Sequence, residues 1–418
     1  MILNYHKKER NSISPVEFKE ALEEIAREGA RRMILKALDS EVQEFLGRER
    51  YGKSLKFKGY RNGFGKERSI SIGFGEVKIR QPRVSDVPPE LGEEGFNSRI
   101  LASYQRSSWG LKKILSRLYL EGLSSGDFEP VFRGILGESA ALSSSAILRL
   151  KEDWRQEYES WSRRSFGQEF YAYVWVDGVY LKAGLEREKT ALLCALGVRE
   201  DGSKELLAMG EGYRESKASW AEVLRDLKNR GLKTPRLFIG DGALGIWSAL
   251  DEIYPQSAQQ RCWNHKIMNV MDKLPKALQR EAGKRLREIY QADTRSQCEE
   301  WADIYARDLR AIGQNGAADC LLRDFDKMTA FYDFPKAHWF HLRTTNPLES
   351  IFSGVRLRTN VVKRFRGREN ARYMIFKLIE RLSLNWRPIR ERRLLQDLKA
   401  GRKFSDGILM EEKTQLAA

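Results

Sequence analysis

The chain has 418 residues, of which 41% are hydrophobic and 32% charged, so it can form two to four folded domains. Lysine and arginine exceed the acids and give a net charge of +16, which predicts a polyanionic partner, either nucleic acid or an anionic membrane surface. The chain lacks an apolar run of eighteen residues and a signal-peptide pattern, and its four cysteines are scattered. These features argue against a membrane-spanning protein and a disulfide framework, and they predict a soluble intracellular protein.

The N-terminal region, residues 1–95, begins with two helical patterns. Ser14 can cap the first helix, with Pro15 at its first position and Glu17 completing a capping box. Apolar residues at helical spacing between positions 33 and 46 predict a second helix, which ends at Gly47.

Residues 53–68 are basic and glycine-rich, with aromatic residues interleaved. Such a segment can follow a DNA backbone, cations facing phosphates and rings stacking on bases, but an ordinary exposed loop has the same composition. The candidate DNA contacts are Lys58, Tyr60 and Arg61. Alternating apolar residues then predict a small hairpin over residues 69–80, and the proline-containing residues 81–95 predict a linker.

Three short helical patterns follow between positions 108 and 154, the last of them capped by serines at positions 143–145. Three helices with tight turns are typical of a helix-turn-helix domain, and the net charge favours DNA binding. A small three-helix bundle without DNA contacts has the same pattern, so both interpretations stand for the region 96–165.

Residues 171–182 predict a buried strand that contains Asp177, and residues 236–241 predict another that ends at Asp241. Each acid precedes a glycine. An Asp-Gly pair often marks a turn, but two such acids at neighbouring strands are also how proteins hold Mg²⁺ or Mn²⁺.

The order of elements predicts a particular α/β fold. Three hairpin-connected strands are followed by a helix, the strand ending at Asp241 and another helix, which is the order of a ribonuclease-H-like domain with a mixed sheet. In that fold the first and fourth strands are neighbours, so Asp177 and Asp241 should lie side by side. A third carboxylate is expected from Glu349, which follows Asn346 and Pro347 at the start of a helix.

The pair Cys262 and His265 has the spacing of half a zinc site, which His338 and His341 could complete. The aromatic residues around the later histidines instead indicate a packed cluster, and His265 is expected near the active site. The neighbouring Trp263 could stack on DNA or belong to the core.

These motifs together resemble the mutator-like transposases of bacterial insertion sequences, and the resemblance covers nearly the whole chain. It is carried by Asp177-Gly178, Asp241-Gly242 and residues 44–51, 58–63, 261–269, 331–339 and 344–349. The resemblance implies a DNA transposase with a catalytic Asp177, Asp241 and Glu349 triad, in which His265 assists. It also implies an all-helical insertion between the second Asp and the Glu, which agrees with the 108 positions from Asp241 to Glu349.

The implied mechanism uses Mg²⁺, with Mn²⁺ as a possible substitute, to nick double-stranded DNA at terminal inverted repeats and join the freed end to target DNA. Synapsis of two ends implies at least a homodimer, located in the bacterial cytoplasm at the nucleoid. Two rival functions stay open: a DNA-binding regulator derived from a transposase, and a ribonuclease-H-like nuclease.

The segment after Glu349 is densely basic and is expected to carry DNA phosphates toward the metal site. Its candidate DNA contacts are Arg356, Arg358, Lys363, Arg364, Arg366 and Arg368. The last residues, 391–418, are expected to form a polar, disordered tail. The predicted catalytic domain therefore comprises residues 166–275 and 343–390, separated by the helical insertion at 276–342.

Overall fold

The computed structural model describes residues 15–52, 56–72, 75–91, 96–101, 109–120, 144–181, 190–212, 216–242, 244–361 and 368–411. The chain divides into two compact units, residues 1–150 and 151–418. The finer predicted domain boundaries stay predictions. Within the described ranges, no helix has both the length and the apolar character needed to cross a membrane.

The first unit begins with one helix, α1 (Pro15–Leu46), rather than the two predicted. Most residues between the two apolar stretches are good helix formers, and the single glycine among them, Gly29, does not end the helix. Gly47 has the positive φ of 65° that a helix C-cap requires, as predicted.

A β-hairpin packs on α1 and is much longer than predicted. Strand β1 (Tyr60–Ile72) pairs antiparallel with β2 (Gly75–Ser85), and two irregularities in the ladder accommodate the glycines of β1. Residues 60–68 therefore belong to a strand and not to a loop, and residues 81–85 belong to β2 and not to a linker. The hairpin and α1 bury a small apolar core that consists of Leu38, Ile70, Ile72, Val77, Ile79 and Leu101.

A 3₁₀ turn, Pro89–Leu91, follows the hairpin. Two of the three helices predicted between positions 108 and 154 are present, α2 (Trp109–Leu120) and α3 (Ser144–Ser162). The predicted middle helix lies outside the described residues.

The second unit is built on a five-stranded mixed sheet in the order β5-β4-β3-β6-β7. Strands β3 (Tyr173–Leu181), β4 (Thr190–Val198) and β5 (Lys204–Gly212) are antiparallel neighbours, as predicted. Strand β6 (Leu237–Gly240) pairs parallel with β3, which confirms the expected neighbourhood of the first and fourth strands. Strand β7 (Ala258–Arg261) completes the edge and was not predicted, because its sequence is mostly polar.

Side chains alternate across the central strand and bury both of its faces. Val174 and Val176 pack with α4 (Lys217–Asn229) and α5 (Leu244–Ile253), which contribute Trp220 and Leu250 to the same core. Tyr173, Trp175 and Asp177 therefore point to the opposite face.

The residues after β7 form α6 (Trp263–Met271) and then the predicted all-helical segment. Every regular element between positions 276 and 342, a range described in full, is helical. These elements are α7 (Lys276–Tyr290), α8 (Arg295–Ala311), α9 (Asn315–Leu322), α10 (Phe325–Met328), the 3₁₀ turns Ala330–Asp333 and Lys336–His338, and α11 (Trp339–Leu342).

Two helices follow the insertion, α12 (Asn346–Val361) and α13 (Arg368–Ser383). The expectation of a disordered tail was wrong for residues 391–411. They form α14 (Leu394–Lys399) and a short hairpin of β8 (Phe404–Ser405) and β9 (Ile408–Leu409). A few apolar residues, including the buried Leu395, Leu398 and Phe404, are enough to dock this polar segment.

Candidate active site

Asp177 lies within β3, and Asp241 follows directly after the end of the neighbouring parallel strand β6. Trp175 pairs with Ile239 in the register of β3 and β6, and each acid lies two residues beyond its member of that pair. Neighbouring strands lie about 4.8 Å apart, so this register brings the backbone at positions 177 and 241 close together. Asp177 is only 7% exposed and accepts a hydrogen bond of 2.8 Å from the backbone N–H of Gly178.

The turn after β6 depends on a glycine. Gly242 has a φ of +100°, and a Cβ added there would lie 2.1 Å from Nε of Arg261. Arg261 ends β7 opposite Gly240, and its guanidinium pairs with Asp324 at 3.2 Å. The absence of a side chain at Gly242 therefore lets this arginine pack directly against the turn that carries Asp241.

The start of α12 is held on the face of the sheet that carries the acids. The indole N–H of Trp175 donates to the carbonyl oxygens of His341 and Thr344, both at 3.2 Å. Trp175 and Asp177 point to the same face. The segment leading into α12 thus lies on the side of the sheet toward which Asp177 points, and Glu349 is in the first turn of that helix, as predicted.

A buried threonine connects Glu349 to the end of β7. The Thr345 hydroxyl donates to Oε1 of Glu349 at 2.9 Å and lies 3.4 Å from Sγ of Cys262, to which the Thr345 backbone N–H donates at 3.3 Å. Cys262 is itself tied to the strand next to Asp241, because its N–H donates to the Gly240 carbonyl at 2.7 Å. A chain of short contacts therefore links Glu349 with the strand that precedes Asp241.

His265 also lies beside Glu349. Its Nδ1 is 3.9 Å from Oε1 of Glu349 and is a buried atom without a hydrogen-bond partner. In the described part of the chain, the candidate ligand atoms of Cys262, His265 and Glu349 all lie within 4.8 Å of one another. The trio of Asp177, Asp241 and Glu349 does not form such a tight set among the described residues.

The zinc site with His338 and His341 is not formed. Nδ1 of His338 is 2.8 Å from the hydroxyl of Tyr173, and the ring is fully buried, as the expected packed cluster requires. Burial raises the pKa of the Cys262 thiol, and the group of candidate metal ligands around it in the described part of the chain contains His265 and Glu349 but neither later histidine. Trp263 belongs to the core, since it is fully buried and donates to the Met328 carbonyl at 2.8 Å.

The predicted magnesium ligands fit the ion chemically. Mg²⁺ prefers oxygen ligands, and two adjacent aspartates facing a helix that carries a glutamate supply them. The unpaired Nδ1 of His265 adds a hydrogen-bonding group for water or phosphate at the same place.

The predicted DNA contacts belong to both units of the chain. Tyr60 is 55% exposed and packs edge-on against Phe57, Lys58 is half-buried, and Arg61 forms an ion pair with Asp39. Arg356 is exposed on α12. Arg358 and Arg368 lie in α12 and α13, and their side chains are outside the described part, as are the residues Lys363, Arg364 and Arg366.

Two residues of the site were missed from sequence. Thr345 precedes the helix that begins at Asn346, a capping position that could have been recognised from the Thr-Asn-Pro run. Arg261 gave no such signal, because its role depends on the unpredicted strand β7.

A mixed sheet with paired acids at adjacent strands, and a glutamate brought to that face after a helical insertion, defines a candidate phosphoryl-transfer protein. The family model "Transposase, Mutator family" matches residues 2–388. The chain therefore belongs to the Mutator family of transposases.

Named relatives agree with this membership. The chain is 43% identical over 306 residues to the transposase for insertion sequence element IS6120 of Mycolicibacterium smegmatis, covering 73% of this chain and 94% of the relative. It is 44% identical over 276 residues to the transposase for insertion sequence element IST2 of Acidithiobacillus ferrooxidans, covering 66% and 93%. A Rhizobium meliloti transposase, for element ISRM5, is 28% identical over 91% of this chain and 93% of its own length.

Proposed function

We propose that this protein moves an insertion sequence by metal-dependent DNA cleavage and strand transfer, with Asp177, Asp241 and Glu349 as the metal-binding triad. The observation that supports the proposal is the parallel register of β3 and β6, which pairs Trp175 with Ile239 two residues before the aspartates, together with the hydrogen bond from Trp175 to the segment that leads into the Glu349 helix. The strand order and the helical insertion support a ribonuclease-H-like catalytic domain.

Within this site each residue has a task that the contacts support. Bound Mg²⁺, or Mn²⁺ in its place, would activate water and then the freed 3′-hydroxyl and stabilise the leaving oxygen. Thr345 holds the Glu349 carboxylate in place, and His265 presents Nδ1 toward the same space to orient water or a phosphate oxygen. A small movement of α12 toward the sheet would bring Glu349 closer to the aspartates, and DNA binding is the step at which we expect it.

The substrate is double-stranded DNA with terminal inverted repeats. The net charge of +16 supports a polyanionic partner, and the basic residues after Glu349 are placed in sequence to receive phosphates near the site. The first unit, with its hairpin and helices, is assigned to repeat recognition. Two ends must be held together during transfer, so the active form is at least a homodimer.

The test is Mg²⁺-dependent nicking and strand joining on a labelled duplex that carries the element's own terminal repeat. The native chain should cut at the repeat end, and Asp241→Asn should bind the duplex without cutting it. Asp251→Asn, an acid on α5, is the matched control and should cut normally.

Three results would point elsewhere. Binding without cutting by both native and Asp241→Asn proteins would favour the regulator. Equal cutting of the repeat and of unrelated duplex would favour a nuclease without end recognition. Cutting that persists in Asp241→Asn would exclude the triad.

A further inference from the structure

A cavity of about 350 Å³ lies beside the first turn of α12, next to the proposed catalytic glutamate. This volume is at the lower end of the roughly 300–1,000 Å³ typical of small-ligand sites. None of the roles assigned so far uses it. Its chemistry is set by two aromatic rings, two amides, an imidazole and a guanidinium, contributed by Phe340, Trp386, Asn346, Asn385, His341 and Arg387.

The aromatic side chains offer flat surfaces for stacking. Phe340 is 70% exposed although it is a large apolar residue, and Trp386 is half-buried. Exposing a phenylalanine ring to water is unfavourable, and a ligand that covers the ring would gain the free energy of removing it from water. Rings of this kind stack on nucleobases of any sequence, because every base has a π-face.

The cavity lining also offers neutral hydrogen-bonding groups. Nε2 of His341 is buried without a partner, and burial lowers the pKa of this histidine to about 4, so the ring is neutral at pH 7. A neutral imidazole and the amides of Asn346 and Asn385 can each donate or accept a hydrogen bond. Such groups suit the edge of a base.

Two cations, Lys204 and Arg387, line the cavity as well. Nζ of Lys204 donates to the Arg387 carbonyl at 2.5 Å, and the guanidinium of Arg390 lies 5.7 Å from the Phe340 ring. Aromatic rings combined with cations are how proteins bind an unpaired nucleotide, because the rings stack on the base and the cations attract its phosphate.

The cavity and the proposed active site share the first turns of α12. Asn346, Pro347 and Ser350 line it from the turn of α12 that carries Glu349. Nδ2 of Asn264 donates to Oδ1 of Asn346 at 2.8 Å, which connects the cavity wall to the turn that carries His265. A nucleotide adjacent to a phosphate at Glu349 is therefore within reach of the cavity.

We propose that this cavity binds one unstacked nucleobase of the DNA next to the cleaved phosphodiester. The proposal rests on the function proposed above and adds a second contact by which the enzyme positions the strand. Extracting a base from the duplex costs free energy, and stacking on Phe340 and Trp386 compensates for it. The bound base then anchors the neighbouring phosphate at the acids.

The experiment uses the full-length chain and combines protein variants with DNA variants, so that the effect of each can be measured in the presence of the other. Cleavage rates are measured for the native protein and Phe340→Ala on the terminal-repeat duplex and on duplexes lacking one base at each position around the cut. We expect Phe340→Ala to cut the intact duplex roughly 5- to 100-fold more slowly, the effect of losing one stacking contact. On the duplex that lacks the bound base, the two proteins should differ by less than about twofold.

Leu384→Ala is the control, because Leu384 is 83% exposed, close in sequence to Trp386 and not part of the cavity lining. It should cut every duplex as the native chain does. Trp386→Ala should behave as Phe340→Ala, and Trp386→Phe should restore most of the rate. An equal loss for Phe340→Ala on all duplexes, or no loss on any, would overturn the proposal.

The same comparison made with Kd values in the Asp241→Asn background needs no cleavage. If Phe340→Ala weakens binding to the intact duplex but not to a duplex that lacks one particular base, the result would support the cavity even if the native chain proved unable to cut. An effect that no missing base removes would reject the cavity while leaving the cleavage function intact.

Discussion

Gly242 follows Asp241 and illustrates how closely the site is packed. Its positive φ and the proximity of Arg261 both exclude a side chain there. We expect Gly242→Ala to displace the Asp241 turn and to reduce DNA cleavage by about tenfold or more, with a stability loss of about 1–3 kcal/mol.

Gly313 provides the matched control for that substitution. It has a φ of +77°, but a Cβ there would meet nothing within 4 Å. Gly313→Ala should therefore show the backbone strain in thermal unfolding without the loss of cleavage. Equal cleavage by the two variants would show that the contact with Arg261 does not position Asp241.

Substitutions of Thr345 test whether its hydrogen bond to Glu349 is needed for cleavage. Thr345→Val keeps the shape of this fully buried side chain but removes the hydroxyl that donates to the Glu349 carboxylate. A hydrogen bond to a charged group contributes about 1.5–3 kcal/mol, so cleavage should fall roughly 10- to 100-fold. Thr345→Ser keeps the hydroxyl and should restore most of the rate; if Ser and Val variants behave alike, the hydrogen bond is not the cause.

Lys266 makes a pH-dependent contribution to stability. It is fully buried, its Nζ donates to the Arg323 carbonyl at 2.5 Å, and burial lowers its pKa to about 8. Below pH 8 the lysine is charged in both folded and unfolded states, so the cost of burying the charge is fully present. Between pH 8 and its ordinary pKa of 10.5 the folded state releases the proton first, so stability rises with pH.

Comparison with Lys266→Met isolates this effect. The free energy of unfolding is measured with denaturant at several pH values for both proteins. Above pH 8 it should rise for the native chain relative to the variant, by as much as about 1.4 kcal/mol per pH unit. A difference between the two proteins that stays constant from pH 7 to pH 10 would contradict the assignment.

At the scale of elements, the sequence predicted most where apolar patterns are strong. Residues 190–198 are almost entirely apolar and predict a buried strand, and β4 has these bounds in the structure. Strand β7 was missed because Ala258–Arg261 reads as polar, and only its parallel pairing with β6 makes it a strand. Such pairing depends on residues distant in sequence, which local patterns do not contain.

The same distinction applies to the site. The Asp-Gly pairs and the Glu349 helix could be found from local signals, and the parallel neighbourhood of β3 and β6 followed from the order of elements. The contacts of Thr345 with Cys262 could not be predicted, since they connect residues 83 positions apart. The base-sized cavity likewise forms from segments that are separated in sequence.

We expect the C-terminal segment to stabilise the fold. The hairpin of β8 and β9 docks on the helical insertion: Lys336 N–H donates to the Gly407 carbonyl at 3.1 Å, and Arg295 N–H donates to Asp406 at 2.9 Å. Removing residues 394–418 would expose the apolar residues that this segment covers. We expect the truncated chain to unfold at a Tm several degrees lower.

A chain ending after residue 411 is the control for this truncation, because it retains every contact just described. Its Tm should be close to that of the full chain. If the two truncated chains melt at the same temperature, the docking of the hairpin does not contribute to stability.

At the scale of the whole molecule, the charge excess is distributed unevenly along the chain. Seven cations accompany one acid between positions 356 and 372, although Arg372 is engaged by Glu211 at 2.6 Å. Binding to DNA releases one counterion for each neutralised phosphate, so log Kd should change with log salt by about 0.9 per contact. We therefore expect this segment, rather than the net charge of the whole chain, to determine most of the salt dependence of DNA binding.

The prediction is that the double variant Arg356→Gln, Arg358→Gln reduces the slope of log Kd against log salt by about 1.8, as two lost phosphate contacts require. The control, Arg280→Gln with Arg307→Gln, removes two cations from the helical insertion. It therefore has the same net charge as the first double variant. Its slope should match that of the native chain. Equal reductions in the two variants would mean that DNA responds to total charge, and that the segment after Glu349 does not guide phosphates toward the acids.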